Sequence, residues 1–252
     1  MTKQKPQADS SIHEDQLLTF LVNALTGAFG VSIAGNGNIT PEDIYEVLVG
    51  ATADGTSIST LCNRSEDSYS GTDILSHLRT KFDLDTVSAV GNTLLQEDTL
   101  ELLPAQVEIV VDFHLRPYYG DEDETDGLYY SEAKRGTTAF HAYATLCAHV
   151  KNKRYTLAVR RLADGDTASD VLAEFLGLVD DFEFNVKAVY VDREFYDGKC
   201  LTLMQAHNHA YVMPIIKWGT KIQNELSEGW SREIEHDLRR NSTATSGPSN
   251  SR

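Results

Sequence analysis

Apolar positions change their period once along the chain. In the first part they recur at helical spacing. Leu17, Leu18, Leu21, Val22 and Leu25 fall at three, four and seven residues, which predicts an amphipathic helix. Thr40-Pro41-Glu42-Asp43 is a helix start: a Thr N-cap, Pro in the first turn, then acids that suit the helix dipole. Ile44, Val47 and Leu48 continue it on one face. Ser57 to Cys62, a polar break, and then Ile74, Leu75, Leu78 and Phe82 predict two more helices. Two short helices across a break fit a helix-turn-helix or a plain bundle equally, and the second carries only Arg79 and Lys81 as bases. Gly35-Asn36-Gly37-Asn38 is a turn and lacks the strand-to-helix context of a dinucleotide fingerprint.

From Val107 the pattern becomes that of strands. Val107 to His114 is an apolar strand that ends polar, and an acidic loop from Asp121 to Asp126 follows. Thr138–Val150, the tight basic connection Lys151-Asn152-Lys153-Arg154 and Tyr155–Val159 form a hairpin. Asp164-Gly165-Asp166-Thr167 starts a helix whose face is Val171, Leu172, Phe175, Leu176 and Val179. A strand over Val186–Asp192, a helix from about Gly198 to Asn208 and a strand over Tyr211–Ile216 complete the order. Three consecutive strands favour an antiparallel meander. The strand–helix–strand units after them favour parallel, right-handed crossovers. The fold class is therefore α/β: a helical N-terminal region over 1–104, and a mixed sheet with helices over 105–238. Strands one to three are antiparallel and strands four and five parallel. Residues 239–252 are a polar, low-complexity tail, read as disordered.

Charge narrows the function classes. With 22 Lys+Arg against 38 Asp+Glu the 252-residue chain has a formal net charge of −16 and a pI near 4.8. A globally basic nucleic-acid coat is excluded, although a local basic groove is not. Residues 1–104 hold 15 acids and 5 bases, residues 105–252 hold 23 and 17, so the second part is the less acidic. Even acidity with only 10 Lys fits a halophile, because at about 1 M salt the Debye length is roughly 3 Å and self-repulsion is screened. An ordinary acidic cytosolic protein fits too. The widely separated Cys62, Cys147 and Cys200 make neither a disulfide scaffold nor a zinc ribbon. The N-terminus has no apolar signal region and nothing spans a membrane, so the expected location is the cytoplasm.

Two aspartates stand out. Asp112 ends the apolar part of the first strand, and Asp192 ends the fourth. A carboxylate in an apolar strand is costly unless paired or bound to a cation. If these strands are parallel neighbours, both acids meet at their carboxyl ends, where open α/β sheets gather ligands. Two such oxygen ligands suit Mg²⁺ or Mn²⁺. Taken singly, each reads more readily as a turn or cap residue; together, in this strand order, the metal reading is the better one. Lys134, Arg135, Lys151, Lys153, Arg154, Arg160 and Arg161 are the one basic concentration. They are candidate contacts to DNA phosphates, or strand-edge charge. Arg193 adjoins Asp192 and is a candidate for the same role. His141 with His149, and His207 with His209, lack a third ligand at zinc spacing.

The order of elements resembles the RNase H-like catalytic domain of DDE transposases, above all insertion-sequence transposases of halophilic archaea. Val110-Val111-Asp112-Phe113-His114 and Tyr190-Val191-Asp192-Arg193-Glu194-Phe195-Tyr196 carry the likeness. So do Asp112 to Tyr119 and Met213 to Gly219; it covers roughly residues 12–238. The resemblance implies that Asp112 and Asp192 are the first two acids of a metal-binding catalytic triad. It also implies cleavage and joining of DNA at element ends, with element ends and target DNA as partners and a homodimer as a candidate assembly. The family's third acid lies in a Tyr-x-x-Arg-x-x-x-Glu pattern. Here the only such spacing, Tyr190-x-x-Arg193-x-x-x-Asp197, overlaps the second acid. Glu225, Glu228, Glu233 and Glu235 lie downstream without that context. The expectation is a domain cut short, as by a frameshift, and a transposase impaired by loss of the third acid. The alternatives are a non-catalytic DNA-binding or dimerising remnant, and a small RNase H-like nuclease with its third acid within Glu225–Asp237.

Overall fold

The computed structural model describes residues 13–33, 38–64 and 69–215. The turn expected at Gly35–Asn38 therefore falls mostly outside the described residues, as do Ile216 onward, the four downstream glutamates and the polar tail. The chain divides into two compact units, Met1–Leu94 and Leu95–Arg252.

The first unit is helical: α1 (Glu14–Phe29), α2 (Pro41–Ala53), α3 (Ile58–Cys62), α4 (Gly71–Lys81) and the start of α5 (Leu84–Leu100). Local chemistry sets their beginnings. Thr40 and Asp43 form a reciprocal capping box before α2, and Ser57 accepts from the Thr60 N–H before α3. Ile44, Val47, Cys62 and Ile74 are buried together. Beside them Tyr45 meets Phe29 and Phe82 with ring centroids 6.3 and 6.0 Å away. The helix over 84–100 is an addition to the four expected from spacing. It starts where the Asp83 carboxylate accepts from the Thr86 N–H at 2.9 Å.

The second unit is a mixed α/β layer around one six-stranded sheet: β1 (Gln106–Pro117), β2 (Tyr129–Lys134), β3 (Thr137–Val150), β4 (Lys153–Leu162), β5 (Asn185–Val191) and β6 (Tyr211–Val212). β1 is central. It pairs antiparallel with β3 on one side and parallel with β5 on the other; β4 pairs antiparallel with β3, and β6 parallel with β5. These are the directions expected from the sequence. Two details differ. β2 is an extra short strand that forms a hairpin with β3 through Arg135-Gly136, both at positive φ as a two-residue type I′ turn requires. β6 ends at Val212 rather than Ile216, because Pro214 has no N–H to extend the ladder. Lys151-Asn152 is a second turn of the same kind between β3 and β4.

One face of the sheet is covered by α6 (Ala168–Asp180) and α7 (Gly198–Ala206). Thr167 and Asp170 form the capping box that starts α6. Val107, Ile109 and Val111 alternate inward along β1 and bury against Val171, Leu172, Phe175 and Leu176 of α6. Phe195, in a single 3₁₀ turn after β5, is fully buried and lies 4.8 Å from the Phe113 ring. Truncating it removes the wedge under that turn. Phe195→Ala is expected to cost about 3–5 kcal/mol of unfolding free energy, measured by urea titration of the whole chain. A cost under about 1 kcal/mol would show that the wedge is not part of the core.

Candidate functional site

Strand register brings the two aspartates together. β1 and β5 run parallel and stay in step up to Val111 beside Val191. The next residue on each is Asp112 and Asp192. Val111 and Val191 both bury toward α6 and α7, so by alternation both aspartates turn to the opposite face. Both are half-buried. Asp112 lies within β1, opposite Thr145 of β3, whose hydroxyl hydrogen-bonds His114 Nε2 at 3.1 Å. Asp192 stands where β5 stops, and its Oδ1 accepts from the Glu194 N–H at 2.8 Å. That bond fixes one oxygen of Asp192, and the other accepts no hydrogen bond from a described residue.

The electrostatics of the pair follow from this placement. Burial raises the Asp192 carboxyl above the ordinary carboxylate range. The Glu194 N–H opposes the rise, the Glu194 and Asp112 carboxylates add to it, and Lys134 offsets part of it. Two carboxylates on one half-buried spot are destabilising in the free protein and are a suitable oxygen donor set for a hard divalent cation. Asp112 and Asp192 are the residues that would hold it. Among the described residues no group of three or more His, Cys, Asp or Glu side chains is arranged to hold a metal ion.

The basic candidates separate into two places. Lys134, last in β2, reaches across to Glu194 with Nζ 2.8 Å from Oε1, which puts it at the carboxylate end of the sheet. Arg135 forms the adjoining turn, and its carbonyl accepts from the Tyr119 hydroxyl at 2.9 Å. Arg193 is exposed beside Asp192 and makes no ion pair with a described residue. Lys151, Lys153 and Arg154 lie at the β3–β4 turn, abreast of the amino end of β1. At about 3.3 Å per residue that is roughly 20 Å from Asp112 along the strand. Arg160 is taken up by Asp166 and Glu174 at 2.6 and 3.0 Å, and Arg161 donates to the Asp126 carbonyl at 3.0 Å.

Other candidate chemistry resolves into structure. Asp197, at the pattern position of the third acid, is the N-cap of α7, its Oδ1 accepting from Lys199 N–H at 2.6 Å and Cys200 N–H at 3.4 Å. Burial and the Asp197 carboxylate push the Cys200 thiol far up, so it is no nucleophile at neutral pH. His207 and His209 both hydrogen-bond Asp180, at 2.5 and 3.3 Å, a third group that their sequence spacing did not reveal. Glu194 is the site residue that spacing missed, since its ion pair joins positions 60 apart.

No protein-family model matches the sequence. No curated protein matches it either. Among solved structures the chain is similar to a piggyBac transposase, in the cryo-EM structure of its synaptic complex with hairpin DNA, with a TM-score of 0.40 and 11% identity. The likeness covers 91% of this chain and 48% of that one, so the chain spans about half the length of that relative. Among the described residues no helix is long and apolar enough to cross a membrane.

The raised Asp192 carboxyl gives a signed prediction. A group whose folded pKa exceeds its unfolded value holds its proton more tightly in the native state, so stability falls as pH rises through that window. At pH 7 without divalent cations, Asp192→Asn removes this cost and keeps an oxygen for the Glu194 N–H. It is expected to melt about 2 °C above wild type. The difference should close near pH 3, where Asp192 carries its proton in both states. Calorimetry in EDTA measures it, and a lower melting temperature at pH 7 would contradict the electrostatic reading.

Proposed function

We propose that this chain is a metal-dependent DNA transposase of the DDE type, with Asp112 and Asp192 as ligands for Mg²⁺ or Mn²⁺. One observation carries the reading: the two carboxylates stand abreast at the ends of neighbouring parallel strands, close enough for one to disfavour ionisation of the other. A cation held there supplies polarisation of phosphate oxygens and activation of a water or a DNA 3′-hydroxyl. The chain's own groups set up that chemistry. Asp112 and Asp192 present charged oxygens on one face. The Glu194 N–H orients Asp192, and Phe195 packed on Phe113 holds the turn. Lys134, Arg135 and Arg193 are cations at this end suited to contact DNA phosphates. Lys151, Lys153 and Arg154 would meet DNA only along a track of roughly 20 Å or more.

Among the described residues no third acid completes a metal-holding group with the pair: Glu194 is engaged by Lys134, and Asp197 caps α7. The proposal therefore includes impaired catalysis, or a third ligand from Glu225, Glu228, Glu233 or Glu235. The same gap favours a second reading: a DNA-binding or dimerising relative that does no chemistry. The resemblance to haloarchaeal insertion-sequence transposases and the even acidity of the chain support a salt-rich cytoplasm as its setting, with element ends and target DNA as its partners.

Two measurements separate the readings. Mn²⁺ titration followed by electron paramagnetic resonance should show binding that weakens more than about tenfold in Asp112→Asn and in Asp192→Asn. Nicking of supercoiled plasmid in Mg²⁺ should be slow in wild type and absent in both variants. DNA binding without Mn²⁺ binding or nicking would contradict the enzyme and support the second reading.

A further inference from the structure

The Lys134–Glu194 ion pair joins two parts of the carboxylate end that are far apart in sequence. β2 is hydrogen-bonded to β3 on the side away from β1, yet its Lys134 reaches the turn that follows β5. The hairpin tip must therefore arch over the end of β1. Tyr119 pins the backbone of that tip at Arg135, while the Arg135 side chain makes no ion pair with a described residue. Tyr129, at the other end of β2, feels both charges of the pair, after burial.

A pair this exposed is weakly held. The Lys134 and Glu194 side chains keep 44% and 35% of their accessible surface, and pairs of that kind contribute little to stability. A polyanion can compete for such a lysine. Glu194 in turn repels the Asp192 carboxylate, and Lys134 offsets part of that repulsion. In a chain of net charge −16, a free lysine beside these acids would otherwise attract any of them; Glu194 fixes which one it meets.

We propose that Glu194 is an internal stand-in for a nucleic-acid phosphate. It holds Lys134 of the hairpin over the carboxylate pair until a strand backbone displaces it, so that binding exchanges a Lys–Glu pair for a Lys–phosphate pair. This rests on the transposase reading for the kind of ligand, but not on a metal at Asp112 and Asp192.

The test is fluorescence anisotropy of the full chain with a labelled duplex and a labelled single strand, in EDTA, over a salt series. Glu194→Gln is expected to bind several-fold more tightly than Glu132→Gln, which removes the same charge from an exposed position on β2. Lys134→Gln should bind more weakly and lower the salt slope by about 0.9, the share of one phosphate contact. In the Lys134→Gln background, Glu194→Gln should gain no more than Glu132→Gln does. Equal gains from the two Glu variants in wild type, or an unchanged slope in Lys134→Gln, would overturn the proposal. EDTA keeps the two readings apart. Lost Mn²⁺ binding with an intact Lys134 effect counts against the metal alone. Intact Mn²⁺ binding without the Lys134 effect counts against the stand-in alone.

Discussion

The parallel pairing of β1 with β5 is the constraint on which the rest of the second unit depends. A parallel neighbour cannot be reached by a tight turn, so the chain must cross over, and α6 is the connection that does so. That crossover buries the odd-numbered face of β1 against α6. It thereby aims the even-numbered positions away from the helices. Asp112 and Asp192 share an end because both strands point the same way. An antiparallel β5 would have put Asp192 at the far end of the sheet.

This arrangement costs stability and gives chemistry. A half-buried Asp192 facing Asp112 and Glu194 is disfavoured as an anion, and nearby structure is organised around tolerating it. The Glu194 N–H supplies one hydrogen bond, Lys134 supplies a positive charge, and Phe195 anchors the turn in the core. Such local disagreement with the rules of a stable fold is expected where a site must bind something charged. Of the other basic candidates, Arg160 is paired within the fold, Arg161 donates to the Asp126 carbonyl, and Lys151, Lys153 and Arg154 gather at the opposite hairpin.

Much of this was legible in the amino-acid order. α6 announces itself through Thr167, Asp170 and five apolar residues on one face, and β5 through the apolar run Ala188–Val191 that ends in Asp192. The two aspartates were visible for the same reason, as charges closing apolar strands. Their register was not visible, because periodicity says nothing about which strands are neighbours. β2 was missed since its residues are mostly exposed and lack an apolar alternation; the Arg135-Gly136 turn was the available signal. α5 was missed because Gly91 and its threonines dilute the helical pattern, although Asp83 three residues before Thr86 marks its start. Lys134 could be picked out as a base but not joined to Glu194, since that contact exists only once the hairpin arches over the sheet.

Whether Asp112 and Asp192 meet at one end of the sheet can be read by following the Asp192 carboxyl carbon through a pH titration by nuclear magnetic resonance, in wild type and in Asp112→Asn. The Asp192 midpoint is expected to be elevated in wild type and to move down toward the ordinary aspartate range in the variant, because one opposing charge has gone. An Asp192 midpoint that is the same in both proteins would place the two carboxylates out of each other's reach and contradict that meeting.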